Sequence, residues 1–404
     1  MQVRNHRCRV SFNRILLALA LFTVCRSAVI GSQQGRPRTQ PRMRVYAAGS
    51  VPLHDWTIGK NPLLMISGHD STELVDLIDV ARLANGDVAV ASVGTNDIRF
   101  FSRTGRHIRT VGREGRGPAE FTALTALLRM RDTIVAANGS GIAHLFTDKA
   151  VYVRTEARPE IPTGEPTTRV GYTADGRVLL RTNPPRASSL PNRAATQQFK
   201  LWMQVADKTT LWGSFPANEL VPSPSGRPRW PVFGPRGFFA VLRSGFCAGY
   251  SARYIITCYN LQGEVTAQFE RRGLVAQAVT QSHKKLYFYD DSLANPTPQH
   301  ASGRAYVKQV TQFAPRFGLI GVMTASTNDE LWIGPVNPGD ATVRGNASPT
   351  TEATWSVYSS AGQWLSDVAL PARFRVMEVG SDFVAGVRLD AEGIEHVVVY
   401  SLQK

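Results

Sequence analysis

Gly112-Arg113-Glu114-Gly115-Arg116-Gly117-Pro118-Ala119-Glu120-Phe121 is the stretch on which the fold reading turns. Gly112, Gly115 and Gly117 permit backbone angles that a side chain forbids, Pro118 stiffens the turn, and Phe121 is placed to enter a core. With Arg113 and Arg116 beside the glycines, the loop also invites comparison with a phosphate cradle. Such a cradle needs a helix N-terminus aimed at the anion and usually a Gly-Lys-Ser/Thr ending, and neither is present here. The stretch therefore reads as a structural corner in which Glu120 accepts hydrogen bonds from its own turn.

Working outward, the corner closes a unit of short strands at 77–83, 88–91, 98–102 and 107–111, separated by polar turns. The unit recurs. A second copy has strands at 124–130, 133–137, 142–146 and 151–154, and a third at 169–173, 177–181, 199–205 and 210–215. A less complete copy follows at 238–242, 253–259 and 265–269, then a four-stranded one at 319–324, 330–333, 353–358 and 364–370. The sixth, at 375–379, 383–387 and 396–400, lacks a fourth strand. A self-similar period of this length outranks any single motif and points to an all-β, six-bladed β-propeller with four-stranded antiparallel blades. An N-terminal strand would supply the missing one and close the ring, since an unpaired blade edge is a liability. The strand-like stretch 54–58 is expected to lie beside 396–400.

Two stretches interrupt the period. Residues 183–198 read as a surface loop, and 274–316 as a longer insertion holding a strand at 284–289 and a helix at 305–313. Long insertions are more often functional than short ones, which makes this one a preferred place for a specific contact.

The composition agrees with many strands and tight turns: 34 Gly and 24 Pro, with 43% hydrophobic and 19% charged residues. Residues 1–27 have the layout of a signal peptide, basic at Arg4, Arg7, Arg9 and Arg14 and then apolar from Ile15 to Cys25. That run is about half of the roughly 20 residues that a spanning helix needs, so no transmembrane span is expected once the signal is removed. Lipidation at Cys25 is disfavoured because Phe22-Thr23-Val24 lacks the usual small residue before the cysteine. Residues 28–52, with Arg36, Arg38, Arg42 and Arg44, read as a flexible basic linker, and 53–404 as the propeller. Loss of residues 1–27 removes five Arg and no acid, taking the formal charge from +15 to +10. Dispersed arginines on an exported chain read as a solvated surface, and nucleic acid is not expected as a partner.

The motif Gly-x-x-Gly-x-Gly-Pro-x-Glu-Phe at 112–121 resembles the NHL-like six-bladed β-propellers exported by many bacteria. Asn61-Pro62-Leu63-Leu64, Arg253-Tyr254, Tyr259-Asn260-Leu261-Gln262-Gly263 and Glu330-Leu331-Trp332-Ile333 extend the likeness over residues 54–404. The family pattern most often carries Gly where this chain has Ala119. The resemblance implies the fold and says little about activity.

Chemistry-bearing patterns are sparse. The eight His are spread singly, without the pair spacing of a zinc site, which separates the chain from the metal-dependent amidating lyases of similar shape. No Gly-x-Ser-x-Gly occurs. Propeller lactonases and esterases hold calcium with isolated carboxylates and amides around the central channel. The weak candidates for that role are Asp79, Asn138 and Glu378, which sit near ends of expected strands. Cys247 and Cys258 either form a disulfide across a hairpin or remain two buried thiols. Trp202, Trp212, Trp332, Trp355 and Trp364 recur at repeat positions and read as inter-blade core. The expected function is an exported, non-enzymatic binding or scaffold propeller, without a cofactor, that holds a protein or glycan. The alternative is a calcium-dependent lactonase-like or esterase-like hydrolase at the channel.

Overall fold

The computed structural model describes residues 41–68, 74–294, 301–336 and 350–404. The expected signal peptide and the first part of the linker lie outside these residues. Gln40–Lys404 forms one compact unit.

Its six sheets are the six expected blades, each antiparallel and wound outward from an inner strand. In blade 1 the order is Leu77–Arg82, Val88–Ser92, Asp97–Phe101 and His107–Val111. The two middle strands are buried at every position, whereas the outer strand is largely exposed. Neighbouring blades cover both faces of a middle strand, so Val88-Ala89-Val90-Ala91 reads as a continuous apolar run, while the next strand buries Asp97 and Arg99 as an ion pair.

Apolar clusters join every adjacent pair of blades. Ile98 and Phe100 meet Ile134 and Phe146 between blades 1 and 2. Val135 and Leu145 meet Tyr172 between blades 2 and 3. Leu179 and Leu201 meet Phe246 between 3 and 4, and Ile256 and Phe269 meet Leu331 and Tyr358 between 4 and 5. Trp332 and Trp355 meet Phe374 and Tyr400 between 5 and 6, and Val387 and Val397 meet Val80 and Val90 between 6 and 1. The ring is therefore closed through its core. Trp202 and Trp364 are buried as well, and Trp212 stacks on Phe246 at 4.9 Å.

The corner at 112–121 carries the chain from blade 1 into blade 2. Phe121 is fully buried, and its N–H donates to the Arg113 carbonyl at 2.8 Å. Gly112 has φ +85°, and a Cβ there would meet the Phe121 ring at 2.3 Å, so both backbone angle and space demand glycine. The Gly117 N–H donates to Glu120 Oε2 at 2.7 Å, and Arg113 donates to Glu120 Oε1. These donors hold the Glu120 carboxyl below its ordinary range. Ala119, where the family pattern carries Gly, has φ +57°.

Ring closure differs from the expectation in register. The strand beside 396–399 is Leu64–Ser67, with Leu64 opposite Val399 and Ser67 opposite His396. Thr57–Ile58 instead pairs farther along the same C-terminal strand, opposite Gln403 and Leu402. The C-terminal strand Glu395–Gln403 is nine residues long, enough for both segments to share its edge.

The linker expectation also fails in part. Arg44–Tyr46 is a strand lying parallel to the outer strand of blade 4, Val265–Arg271. Tyr46 anchors it: the hydroxyl donates to the Gly362 carbonyl at 2.7 Å and accepts from the Trp364 N–H at 2.9 Å. Leu53 and His54 then donate backbone N–H groups to Trp364 and Leu365 on the outer strand of blade 5. Residues 44–67 thus run as a belt over the outer edges of blades 4, 5 and 6.

In the insertion, the expected strand at 284–289 is part of a helix, α1 (Gln281–Ala294), and the expected helix is α2 (Ala301–Val310). The helical spacing is visible in the packing. His283 and Tyr287, one turn apart, face Phe317 and Phe233 respectively.

Candidate functional site

The inner strands of blades 1, 2, 3 and 6 each carry a β-bulge. A bulge re-aims the side chain that follows it. On blades 1 and 6 the bulges fall immediately before Asp79 and Glu378. Both carboxylates bridge to the next blade. Asp79 Oδ2 accepts from the Leu127 N–H of blade 2 at 2.8 Å, and Glu378 Oε2 accepts from the Arg82 N–H of blade 1 at 2.5 Å. Glu395, from the last strand of blade 6, accepts from the Leu77 N–H at 2.8 Å. The inner edge of a blade is an unpaired sheet edge, and these carboxylates supply acceptors for its amides.

Arginines balance the acids. Arg129 Nε lies 3.5 Å from Glu378 Oε1, and Arg129 also donates to the Arg82 carbonyl. Arg375 donates to the Leu77 carbonyl and lies 3.2 Å from Glu395 Oε1. Burial pushes the Asp79 carboxyl up to about 7, with the Glu378 charge adding and the Leu127 and Val80 amides opposing. Burial also raises Glu378, against the pull of Arg129, and raises Glu395.

Of the three residues expected to converge, Asp79 and Glu378 are electrostatic neighbours and Asn138 is not part of their group. Asn138 Oδ1 accepts from Thr122 Oγ1 at 3.0 Å and from the Ala123 N–H at 3.2 Å, fixing the entry to blade 2. A strand-end polar residue can serve its own turn as easily as the channel, which is why the sequence did not separate the two roles. Both Asp79 oxygens and both Glu378 oxygens already face donors. Among the described residues no three His, Cys, Asp or Glu side chains group to hold a metal ion. The arrangement can store a proton near neutral pH and stitch blades 6, 1 and 2. Arg82, Arg129 and Arg375 were not singled out in the sequence, yet a signal was there: a lone Arg in an otherwise mostly apolar inner strand, repeated between units.

Cys247 and Cys258 face each other on adjacent strands of blade 4 and are joined in a disulfide.

The second constellation is the insertion. Phe233, Phe313 and Phe317 form an aromatic hub, with Phe233 at 5.7 Å from Phe313 and 4.8 Å from Phe317. Backbone bonds between Val232 and both Gln312 and Ala314 tie segment 221–236 to the insertion. Tyr287 and Phe288 of α1 pack edge-on against Phe313. Lys308 of α2 lies over the Phe288 ring and Arg229 over the Tyr306 ring. Leu286 and Tyr289 of α1 and Tyr306 of α2 are exposed, as is Trp230 on segment 221–236. No helix among the described residues is long and apolar enough to cross a membrane.

No family profile matches the chain, and no curated protein matches it. Solved structures do. A member of the DUF4221 family from Bacteroides vulgatus superposes with a TM-score of 0.53 at 10% identity, over 86% of this chain and 98% of its own. A candidate exported protein from Bacteroides fragilis gives 0.47 at 10% identity, over 90% and 99%. Regucalcin, a calcium-binding protein from Agrobacterium tumefaciens, gives 0.39 at 8% identity, over 89% and 95%. At these identities the likeness concerns the fold, that of six-bladed propellers.

Proposed function

We propose that the chain is an exported, non-enzymatic binding propeller of the NHL-like kind, and that its contact surface is the two-helix module. The observation that carries this reading is the module itself: a helical pair set into an all-strand ring, packed on its own aromatic hub and exposing Leu286, Tyr289 and Tyr306. Exposed aromatics in one place are what a recognition surface requires, whereas singly scattered ones need no explanation. The channel supports the non-enzymatic half of the reading, because its carboxylates are engaged by backbone amides and arginines of adjoining blades. Export is supported by the leader-like residues 1–27, and a disulfide suits an oxidising compartment.

Thermal melting in the presence of millimolar calcium tests the choice against a calcium-dependent hydrolase. The midpoint is expected to stay where it is without calcium. A calcium-dependent rise that Asp79→Asn abolishes would overturn the non-enzymatic reading.

A further inference from the structure

We propose that the two-helix module seats the propeller on an anionic lipid surface, with α1 lying along the interface. This rests on the reading of the module as the contact surface and names what it contacts.

The first support is the division of α1 into two faces. His283, Lys284, Tyr287 and Phe288 are partly covered and turn toward the hub, whereas Lys285, Leu286 and Tyr289 are exposed on the opposite side. Leu286 is 44% and Tyr289 60% exposed, one turn apart on the outward stripe. Tyr306 and Trp230 are each 51% exposed, and Val275, in the segment leading into the helix, is 83% exposed. Tyrosine places an apolar ring and a polar edge at the headgroup level, and leucine and valine enter below it, while Trp230, whose indole N–H donates to Gln197 Oε1 at 2.6 Å, offers only its ring.

Charge is the second support. Residues 274–316 carry Lys284, Lys285, Arg304, Lys308 and Arg316 against Asp290 and Asp291, and residues 221–236 add Arg227, Arg229 and Arg236 with no acid. Lys285 is exposed on the outward stripe, whereas Lys308, though exposed, holds its ammonium over the Phe288 ring. Exposed cations beside apolar anchors complement an anionic headgroup layer, and the lysine stems can reach past the anchors to the phosphates. The aliphatic anchors decide between a bilayer and a soluble anionic polymer. A sugar chain stacks on aromatic rings and gains little from Leu286 or Val275, whereas a bilayer takes both.

The test places an environment-sensitive nitrobenzoxadiazole label on Leu286→Cys in the full chain. Cys8→Ser and Cys25→Ser leave the label one reactive site, since Cys247 and Cys258 are joined. Vesicles of equal parts phosphatidylcholine and phosphatidylglycerol are expected to shift the label's emission to the blue and shield it from an aqueous quencher. Vesicles of phosphatidylcholine alone are expected to do so far less. Tyr289→Ser in the labelled chain should weaken the response about tenfold, in keeping with loss of one buried aromatic anchor. Lys285→Gln should weaken it roughly fivefold. A second label at Val153→Cys, on the exposed outer strand of blade 2, should stay in water.

No shift on anionic vesicles, or an equal shift at position 153, overturns the proposal. A label at 286 shielded by dextran sulfate yet silent toward vesicles overturns the lipid assignment and keeps the module as the contact surface. Silence toward both overturns the anionic-lipid proposal alone, since the contact-surface reading also covers a protein or uncharged glycan, while the calcium melt still reports separately on catalysis.

Discussion

Asp79 shows how one residue can be both legible and misread. Its place in an apolar strand marks it as unusual, but its role depends on the bulge at that position, and a bulge has no reliable signature in a single sequence. Because its carboxyl titrates near 7 in the fold and near 3.8 when unfolded, the native state holds more protons between those values. Stability contributed by the protonated form is therefore present at low pH and is lost as pH rises toward 7. Asp79→Asn removes this dependence. Urea unfolding from pH 4 to pH 8 is expected to show the variant gaining on the wild type as pH rises, with the gain levelling off above 7. A constant difference across the range would count against a protonated Asp79. The neighbouring arginines escaped notice for a related reason: an Arg within a strand is ordinarily a solvated edge residue, and only the ring brings Arg129 against Glu378 of blade 6 and Arg375 against the Leu77 carbonyl of blade 1.

Elements were legible where the chain makes its own partner nearby. Each of blades 1, 2 and 3 pairs four consecutive strands, and the turns between them are written locally in residues such as Asn85-Gly86 and Asp175-Gly176. One local strand was missed, Gly245–Tyr250 of blade 4, whose small residues give little strand signal although it pairs with its own neighbours, and the expected loop 183–198 ends in the strand Ala195–Val205. The other failures fall where the deciding contact is remote. Lys284-Lys285-Leu286-Tyr287-Phe288-Tyr289 is rich in strand-favouring aromatics, and only the hub, supplied by Phe233 and Phe313, selects the helical spacing. Arg44–Tyr46 is three residues in an Arg-rich segment, too short and too polar to announce a strand. Its anchor is a testable element. Tyr46→Phe keeps the ring but deletes both hydroxyl bonds and should cost about 1–2 kcal/mol, while Val45→Ala, on an exposed side chain, should stay within about 0.5 kcal/mol. Equal effects in urea melts would argue against a docked Tyr46.

For the whole molecule, the repeat period declared six blades before any contact was known, because blade count follows from strand spacing and ring closure from the incomplete last unit. What it misplaced was the segment beside 396–399: 54–58 was expected there, but 64–67 takes that place and 57–58 pairs farther along the same strand. The closing strand Leu64–Ser67 alternates between a buried Ile66, in the cluster between blades 6 and 1, and a Met65 that is 56% exposed. Ile66→Ala should cost about 3 kcal/mol and lower the single global transition, whereas Met65→Ala should stay within about 0.5 kcal/mol. A separate early transition in Ile66→Ala would mean that the closure is peripheral to the ring.

The belt of residues 44–67 has a consequence in time. A chain is made from its N-terminus, and blades 1, 2 and 3 can pair as their own strands emerge. The belt cannot, because Tyr46 bonds a residue 316 positions later and Ser67 meets one 329 positions later. The earliest-made described strands are thus among the last to find partners. Until then the outer edges of blades 4 and 5 and the open edge of blade 6 stay unpaired, so the belt is a late step that the already paired blades must wait for.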